Sequence, residues 1–326
     1  METTTEKAAA ESPAPVFSFV LPVYNEAVSL GAVHARLAAA GGALGEPFEI
    51  IYADDGSTDG TDALLDGLAA GDGRVSVLHL SRNFGHMAAL TAGLEHARAT
   101  GAVICLDADG QHPPEMIAAM VEKWRGGADI VQALRREYGG APWLKRATSS
   151  LFYRAINYLS DLQIPQGAAD FRLMDRRVVA VINALPERDR FLRGLIYWVG
   201  FRVETLPYDQ AARLAGESKY DYWRMLRFAL NGITSFSTRP LRLSFFCAAL
   251  VALASVAYAA YVLACWLAGS PLSPGWASLI LCILVLHTME LLAIGVISEY
   301  LARLYDEQKG RPVYVLRGKN GRGRDE

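Results

Sequence analysis

Two aspartates spaced by one residue are the strongest chemical signal in the sequence. Asp107 and Asp109 follow the apolar run Ala102–Leu106, and alternate residues of an extended segment point in the same direction. Their carboxylates can therefore converge on one hard divalent cation, because such ions prefer oxygen ligands. A Mg²⁺ or Mn²⁺ ion held here would neutralise charge that develops on a leaving diphosphate. A solvated loop is the competing interpretation, and the position directly after an apolar strand favours the metal site.

A second acidic loop, Asp54-Asp-Gly-Ser57, follows another apolar run. Asp55 is able to accept a hydrogen bond from a nucleobase imide, and Gly56 permits a tight turn. The same residues also suit an Asx turn in which Ser57 or Thr58 caps the next helix. The two interpretations are compatible, because one aspartate can serve a ligand while its neighbours form the turn.

Three charged residues later in the chain are further candidates for ligand contacts. Asp170 lies in the segment Gly167–Arg172, which combines a turn with a carboxylate in buried-looking surroundings. Arg213 and Lys219 flank a loop that contains glycine and serine, and such cations form charge-assisted hydrogen bonds with phosphate. The sequence has no P-loop and no Gly-x-Gly-x-x-Gly after its first strand, which disfavours kinase-like and dinucleotide-dependent functions.

The elements that position these residues follow from the hydrophobic pattern. Strand-length apolar runs alternate with helical patterns, which predicts a mostly parallel sheet with helices on both faces. Ligands of such sheets bind at the carboxyl ends of the strands, where the polar loops lie. Strands are predicted over Val16–Val23, Phe48–Ala53, Val75–Leu80, Ala102–Leu106 and Asp129–Leu134, and helices over Glu26–Ala40, Gly60–Ala70, His86–Arg98 and Pro113–Trp124.

The C-terminal third contains 47 consecutive residues, Leu243 to Met289, without Asp, Glu, Lys or Arg. One membrane crossing needs about 20 apolar residues, so this run is long enough for two. We predict transmembrane helices over Leu243–Ala268 and Trp276–Ser298, joined by a turn that contains two prolines and two glycines. A buried helical hairpin is the alternative, but core helices rarely exceed about 14 apolar residues.

Basic residues flank this predicted hairpin on both sides, whereas its connecting turn has no charge. Arg239 and Arg242 precede it, and Arg303, Lys309 and Arg311 follow it. The positive-inside rule therefore predicts a multi-pass membrane protein with both termini in the cytoplasm and the short turn outside.

The net charge of the chain also differs between its N-terminal and C-terminal parts. Residues 1–218 carry 20 basic and 27 acidic residues, net −7, whereas residues 219–326 carry 12 and 7, net +5. The total of −2 disfavours a nucleic-acid partner, and the basic part suits a lipid surface. The predicted organisation is a disordered tail (1–15), a catalytic domain (16–219), an interfacial amphipathic segment (220–242), two transmembrane helices (243–298) and a basic cytoplasmic tail (299–326).

An ordered series of motifs resembles the family 2 glycosyltransferases. Within that family the chain is similar to the polyprenyl-phosphate (bactoprenol) glucosyltransferases, which are related to dolichol-phosphate mannose synthase. The resemblance covers residues 17–315. The motifs are Val20-Leu-Pro-Val-Tyr-Asn-Glu26, Asp54-Asp-Gly-Ser57, Ser81-Arg-Asn-Phe-Gly85, Asp107-Ala-Asp109, Gln111-His-Pro-Pro-Glu115, Asp170-Phe-Arg-Leu173, Gly216-Glu-Ser-Lys219 and Ile233-Thr-Ser-Phe-Ser237.

This resemblance implies a GT-A fold and the inverting transfer of a sugar from a nucleotide-sugar to a membrane polyprenyl phosphate. It implies a nucleoside site, a site for Mg²⁺ or Mn²⁺ and the diphosphate, a phosphate site and an acceptor-side carboxylate often assigned as a base. The residues carried over for the nucleoside are Pro22, Tyr24, Glu26 and Asp55, and those for the metal and the diphosphate are Asp107, Asp109 and Gln111. Arg135, Arg213 and Lys219 are carried over for phosphate binding, and Asp170 is the acceptor-side carboxylate.

Two positions depart from the family's usual Asp-Ala-Asp-Leu-Gln-Asp-Pro-Pro-Glu. Gly110 is expected to loosen the metal loop, and His112 removes a charge outside the expected ligand set. Asp170 raises a separate chemical question, because a phosphate monoester has its second pKa near roughly 6 and is largely a dianion at neutral pH. Such a nucleophile hardly needs a base, so we expect Asp170 to position the acceptor or to stabilise developing oxocarbenium charge.

Several alternatives remain open at the level of sequence. UDP-glucose is the first choice of donor, while GDP-mannose, a UDP-N-acetylhexosamine such as UDP-GlcNAc or an aminoarabinose donor would need only small changes of the pocket. A processive polysaccharide synthase is disfavoured because no Gln-x-x-Arg-Trp motif is present and two helices cannot enclose a polymer. A non-catalytic membrane scaffold is disfavoured by the presence of Asp107 and Asp109. Homo-oligomers, tetramers in particular, occur among such relatives.

Overall fold

The structure, a computed structural model, describes residues 14–136, 165, 167–188, 190–209, 237, 239–268 and 275–320. The chain divides into two compact units. The first contains Met1–Tyr153, Gln163–Tyr220 and Pro312–Glu326, and the second contains Arg154–Leu162 and Asp221–Arg311. Arg213, Lys219, most of the predicted interfacial segment and most of the predicted N-terminal tail lie outside the described residues.

The first unit contains one sheet of eight strands in the order β7-β5-β6-β4-β1-β2-β3-β8. Strands β1, β2, β3 and β4 pair in parallel, as do β5 and β7, whereas β6 and β8 run antiparallel to their neighbours. The predicted mostly parallel α/β sheet is therefore confirmed. The strands are β1 Phe17–Val23, β2 Phe48–Asp54, β3 Val75–Leu80, β4 Ala102–Cys105, β5 Ile130–Arg135, β6 Ala168–Asp175, β7 Val203–Tyr208 and β8 Leu316–Asn320.

The central strands are mostly apolar because both of their faces are covered. Every residue of β1 and β2 is buried. Phe17 and Phe19 belong to the main core on one face, while Val20 on the other face lies directly under Gly93 of the covering helix. Two-sided burial of this kind produces the near-continuous apolar runs from which the strands were predicted.

One charged side chain, Glu49 in β2, interrupts this apolar pattern. It is 2% exposed and accepts hydrogen bonds from Ser18 Oγ at 2.6 Å and from Arg98 Nη2 at 2.6 Å. The backbone amide of Arg98 donates to the same carboxylate at 2.7 Å. A buried carboxylate is tolerated when it is paired in this way, so Glu49 has a structural role.

Eight α-helices lie in the described part of the chain, and the six predicted helices correspond to the first four and the last two of them. The first begins at Leu30 rather than at Glu26, because residues 26–29 form a turn in which Ser29 Oγ donates to Glu26 Oε2 at 2.6 Å. The helices are α1 Leu30–Ala43, α2 Thr61–Gly71, α3 His86–His96, α4 Ile117–Arg125, α5 Arg176–Ala184, α6 Leu192–Trp198, α7 Arg239–Leu267 and α8 Trp276–Gln308.

Strand β6 was not predicted as a strand, yet it carries a central part of the site. It lies between β4 and β5 and runs antiparallel to both. Its sequence contains Asp170 and Arg172 between apolar residues, so the apolar run that marks the other central strands is absent. The segment interpreted as a turn with a buried-looking carboxylate is therefore a buried strand, preceded by a turn at Gly167.

Strand β8 comes from the segment predicted as a basic tail. It pairs antiparallel with β3, and Ser81 N donates to Val315 O at 2.8 Å just before the pairing begins. Tyr314 Oη donates to Glu95 at 2.6 Å and Arg317 contacts Asp62 at 3.3 Å. The end of the chain thus completes one edge of the sheet.

The second unit is built on α7 and α8, which have 29 and 33 residues. Each contains a stretch long and apolar enough to cross a membrane, namely Ser244–Cys265 with mean hydropathy 2.1 and Val285–Gln308 with mean hydropathy 1.4. Neither stretch is buried by other residues that the structure describes. These two apolar helices indicate membrane association.

Candidate active site

Three loops meet at the carboxyl ends of β1, β2 and β4. Asn25, in the loop after β1, has a backbone amide that donates to Ser57 Oγ at 3.0 Å and a side-chain oxygen that accepts from Thr58 N at 2.8 Å. Ser29 Oγ also lies 2.9 Å from Ala108 O in the loop after β4. The polar loops at the carboxyl ends of these strands therefore lie together, where ligands of such sheets bind.

The loop after β2 contains the predicted Asx turn, in which Ser57 N donates to Asp54 Oδ1 at 3.0 Å. The prediction that Ser57 or Thr58 caps the next helix is wrong. Helix α2 begins at Thr61, and it is Asp59 Oδ1 that accepts from Thr61 N at 3.0 Å. Ser57 and Thr58 bond to Asn25 instead, so these residues join two loops of the site.

Asp55 is buried and holds the loop that follows β3. Its two carboxylate oxygens accept from Phe84 N at 2.7 Å and from Gly85 N at 2.9 Å. Burial raises the pKa of Asp55, although the two amides and nearby His86 act in the opposite direction. Asp55 thus has a positioning function that its sequence context did not indicate.

The other residues predicted for the nucleoside lie on β1 and the loop that follows it. Pro22 is buried within the strand, whereas the side chain of Tyr24 is 46% exposed. Glu26 accepts from Ser29 Oγ, and its backbone amide donates to Thr61 Oγ1 at 3.0 Å. All three residues lie in the first unit, at the same edge of the sheet as Asp55.

The loop after β4 contains the predicted metal ligands Asp107, Asp109 and Gln111. Asp107 Oδ1 is buried and accepts no hydrogen bond from any residue that the structure describes. Asp109 Oδ1 accepts from Gln111 N at 3.0 Å, which closes a short turn. A buried carboxylate oxygen without a donor is costly unless a cation or a ligand satisfies it. These residues therefore fit a divalent cation.

No cluster of three or more His, Cys, Asp or Glu side chains suited to a metal ion occurs among the described residues. An ion held by Asp107, Asp109 and Gln111 alone would need further oxygen ligands from outside the protein. Diphosphate and water are such ligands for Mg²⁺ and Mn²⁺.

The two departures from the family motif are part of the backbone support of this loop. Gly110 has φ of 77°, a left-handed conformation that favours glycine. His112 is 5% exposed, its Nδ1 accepts from Asp107 N at 2.9 Å, and its ring stacks on Phe171 at 5.2 Å between centroids. His112 therefore supports the backbone of Asp107.

Asp170 in β6 is 2% exposed and is surrounded by cations. Arg193 Nη2 donates to Asp170 Oδ2 at 2.6 Å and Arg193 Nε lies 3.1 Å from both carboxylate oxygens. Arg172 Nη2 donates to Asp170 Oδ1, and His86 Nε2 lies 3.2 Å from Asp170 Oδ2. Burial alone would raise the pKa of Asp170, but Arg193, Arg172 and His86 hold it well below its usual range.

His86 connects this cluster with the metal loop. Its Nε2 lies 3.2 Å from Asp170 Oδ2 and 3.7 Å from Asp107 Oδ1. Because the ionised Asp170 can only accept, Nε2 carries the proton of that hydrogen bond. Burial opposes protonation of His86, yet the hydrogen bond to Asp170 and the charge of Asp107 raise its pKa overall.

The sequence did not identify His86, Arg172 or Arg193 as site residues. His86 directly follows the motif Ser81-Arg-Asn-Phe-Gly85, and a basic residue after a polar loop was the available signal. Arg172 is a buried cation inside the Asp170 motif. Arg193 comes from α6, far along the chain, and no local pattern linked it to Asp170.

Arg135, predicted for phosphate binding, is the last residue of β5, as expected. Its backbone amide donates to Gly167 O at 3.0 Å, where the chain enters β6. Gly167 has φ of 83°, and a Cβ there would lie 2.7 Å from Arg135 O. Glycine therefore lets the two strands approach beside Asp170.

Residues 18–182 match the family model of glycosyl transferase family 2. An uncharacterized glycosyltransferase of Synechocystis sp. is 42% identical over 299 residues, which cover 92% of this chain and 94% of that protein. The bactoprenol glucosyl transferase of Shigella phage SfV is 40% identical over 303 residues, which cover 93% and 98% of the two chains.

Among solved structures, the mannosyltransferase PcManGT from Pyrobaculum calidifontis in complex with GDP-Man and Mn²⁺ is similar to this chain. The TM-score is 0.47 and the identity 20%, with 88% of this chain and 87% of that chain covered.

The family model covers the strands β1 to β5, the strand β6 and the loops that form the site. The relatives match nearly the whole length of the chain at about the same identity. These findings confirm the resemblance and the GT-A class of α/β fold. The chain belongs to glycosyl transferase family 2 and is a glycosyltransferase.

Proposed function

We propose that this glycosyltransferase moves a sugar from a nucleotide-sugar onto a polyprenyl phosphate, with inversion at the anomeric carbon. Glucose from UDP-glucose and an undecaprenyl acceptor are the first candidates, because several relatives of 38–40% identity are named bactoprenol glucosyl transferases. The apolar helices α7 and α8 support an acceptor that stays in a membrane.

One relationship in the site carries this proposal most directly. His86 Nε2 lies within 3.7 Å of Asp107 and 3.2 Å of Asp170. The carboxylate proposed for the metal and the carboxylate proposed for the acceptor side therefore belong to one site. A donor diphosphate on the first and an acceptor phosphate near the second would bring the reacting groups together.

The donor would be held by residues on three loops. Asp107, Asp109 and Gln111 would hold Mg²⁺ or Mn²⁺, which neutralises charge on the leaving diphosphate when it is bound. Pro22, Tyr24, Glu26 and Asp55 would hold the nucleoside, and Arg135, Arg213 and Lys219 would contact donor or acceptor phosphates. The unsatisfied oxygen of Asp107 supports the metal assignment.

The bond changes in this reaction need no base. An oxygen of the acceptor phosphate forms the bond to the anomeric carbon, and the bond from that carbon to the donor diphosphate breaks. The electron pair of the broken bond leaves with the nucleoside diphosphate. The acceptor is already largely a dianion at neutral pH, so no proton has to be removed.

Asp170 would therefore act as a positioning group or as an electrostatic group. The low pKa of Asp170 and its contacts with Arg172, Arg193 and His86 are those of a fixed anion, because a carboxylate with such a pKa binds a proton weakly. It would hold Arg193 and His86 in place and stabilise positive charge that develops on the sugar ring.

The orientation of the protein in the membrane is also part of the proposal. Basic residues flank the two apolar helices, so we place the catalytic domain and both termini at the cytoplasmic face of the plasma membrane. A segment at the interface, residues 220–242, would set the height of the catalytic domain. The proposed domains are those predicted from the sequence, with two differences: α8 extends to Gln308, and β8 joins the tail to the sheet.

The test uses the full chain, purified in detergent, with undecaprenyl phosphate and a panel of donors. The panel contains UDP-glucose, GDP-mannose, UDP-GlcNAc and an aminoarabinose donor, each with Mg²⁺, Mn²⁺ or EDTA. We expect metal-dependent release of UDP and a lipid product that carries one glucose. Absence of glycolipid with every donor would favour a non-catalytic scaffold, and a ladder of longer products would favour a processive synthase.

A further inference from the structure

His79 is a buried residue near the end of β3 that belongs to none of the predicted motifs. It is 4% exposed, and each ring nitrogen faces a different carboxylate. Nδ1 lies 2.9 Å from Asp54 Oδ2 at the end of β2, and Nε2 lies 3.2 Å from Asp66 Oδ1 in α2. The imidazole therefore joins three elements that support the site.

The two contacts determine the protonation state of this ring. The hydrogen bond from His79 lowers the pKa of Asp54 against the effect of its burial, so Asp54 is an acceptor. A neutral imidazole has only one N–H, whereas donation to two carboxylates needs both. His79 is therefore an imidazolium, which agrees with the pKa of His79 being raised, first of all by the hydrogen bond to Asp54.

The carboxylate that His79 holds also shapes the loop after β2. Asp54 Oδ1 accepts from Ser57 N at 3.0 Å, while Oδ2 is bonded to His79. The next residue, Asp55, accepts from the amides of Phe84 and Gly85. The orientation of Asp54 thus sets the turn from which Asp55 reaches the neighbouring loop.

The neighbouring loop itself begins just after His79. Gly56 lies against its backbone, since a Cβ there would be 2.6 Å from Arg82 C. Asp55 and Gly56 contact one side of this loop, and His79 precedes it on β3. The imidazolium of His79 therefore connects the loops after β2 and β3, which are the two segments that would surround the nucleoside.

We propose that His79 is a positioning residue of the nucleotide subsite, whose imidazolium holds Asp54 and thereby aligns Asp55 with the loop Ser81–Gly85. This inference rests on the proposed nucleotide-sugar donor for its effect on binding. The linkage between His79 and the loop Ser81–Gly85 is independent of the donor, because it follows from the contacts of Asp54 and Asp55.

The groups that face His79 define the expected pH dependence. They are Asp54 from β2 and Asp66 from α2, and on the other side β8 places Gly318, which has no side chain, opposite His79. In the described residues no further titratable group hydrogen-bonds to the ring. His79 donates to both carboxylates below the ordinary histidine pKa of about 6.5, and this double donation is lost as the pH rises through the raised pKa of His79.

A pair of substitutions separates positioning from simple packing. His79→Asn places an amide N–H near the former Nδ1 and keeps a donor for Asp54, whereas His79→Gln places its amide near the former Nε2 and serves Asp66 only. Both side chains fill part of the space left by the imidazole, and both substitutions remove the titrating ring. Asp66→Asn is the third variant and leaves the bond from His79 to Asp54 in place.

Binding of UDP with Mn²⁺ to the full chain is measured by calorimetry between pH 6 and 9.5. We expect His79→Gln to weaken UDP binding about tenfold at pH 6.5, as for loss of one charge-assisted hydrogen bond. His79→Asn should bind near the wild-type level and lose the alkaline decline. Asp66→Asn should move that decline to lower pH. Equal UDP affinity in His79→Asn and His79→Gln would overturn the proposal.

Amide hydrogen exchange over residues 81–86 gives a readout that does not depend on the donor. Faster exchange of Phe84 and Gly85 in His79→Gln than in His79→Asn supports the linkage, and equal exchange overturns it. Wild-type protein that binds no UDP but shows this difference would contradict the proposed donor and leave the linkage supported. Thermal unfolding of each variant confirms that it is folded.

Discussion

Arg193 holds the carboxylate of Asp170 from one side, with Nη2 2.6 Å from Oδ2 and Nε 3.1 Å from both oxygens. Arg172 and His86 contact the same carboxylate. A carboxylate that accepts from two guanidinium groups and one imidazole N–H is a fixed anion, and this distinguishes Asp170 from a general base. The following prediction tests that distinction.

Asp170→Asn should lower turnover without creating a requirement for alkaline pH. The substitution leaves Arg172 and Arg193 without their counterion, and breaking a buried pair typically costs about 3–5 kcal/mol of stability. We therefore expect a lower melting temperature together with a loss of kcat. The measurement is kcat between pH 6 and 9.5, combined with thermal unfolding.

Asp175→Asn is the matched control for that experiment. Asp175 ends the same strand and bonds to Trp124 and Arg177, at the edge of the sheet opposite the site. It should retain kcat while losing some stability. Full recovery of Asp170→Asn activity at high pH would show instead that Asp170 removes a proton.

The bridge made by His86 gives a second prediction. His86→Ala should reduce kcat by about tenfold, the order expected for a lost hydrogen bond to a charged group. His86→Gln should recover most of this loss, because its amide N–H can reach the position of Nε2 and donate to Asp170. The measurement is kcat together with the Mn²⁺ concentration for half-maximal activity. Equal losses in both variants would argue against a role for this hydrogen bond.

The metal assignment can be tested without turnover. Asp107→Asn should weaken binding of Mn²⁺ in the presence of UDP, because a carboxylate ligand is replaced by a neutral amide. Binding is measured from the free Mn²⁺ signal in electron paramagnetic resonance. Asp72→Asn is the control, since Asp72 forms a surface ion pair with Arg74. Wild-type Mn²⁺ affinity in Asp107→Asn would exclude Asp107 as a ligand.

The strands and the polar loops could be predicted from the sequence because their signals are local. β1 and β2 are buried on both faces, so their apolar runs stand out, and the acidic residues follow directly after β2 and β4. Strand β6 gave no such signal, because Asp170 and Arg172 are buried only through each other and through distant cations.

The pairings that organise the site are not local, and for that reason they could not be predicted. His86 meets Asp170 only because β6 inserts between β4 and β5. His79 meets Asp66 only once α2 has packed on β3. The strand β8 is a basic segment whose extended form depends on the edge of β3. Hydrophobic periodicity describes which face of an element is buried, and it carries no information on such partners.

A pair of glycines tests how closely the two nucleoside loops must approach. Gly56 and Gly45 have nearly the same left-handed φ, 71° and 72°. A Cβ on Gly56 would lie 2.6 Å from Arg82 C and 2.8 Å from Asn83 N, whereas a Cβ on Gly45 would meet nothing within 4 Å. Alanine at either position has the same backbone strain of about 1–2 kcal/mol. Only at Gly56 does it also displace a neighbouring backbone.

We therefore expect Gly45→Ala to lose about 1 kcal/mol of stability and to keep wild-type binding of UDP. Gly56→Ala should lose more stability and in addition bind UDP at least about tenfold more weakly, because the loop that Asp55 aligns is pushed away. Chemical denaturation and calorimetry with UDP and Mn²⁺ measure the two effects separately. If both variants bind UDP equally well, the contact between Gly56 and the loop at Arg82 is not needed for the nucleotide subsite.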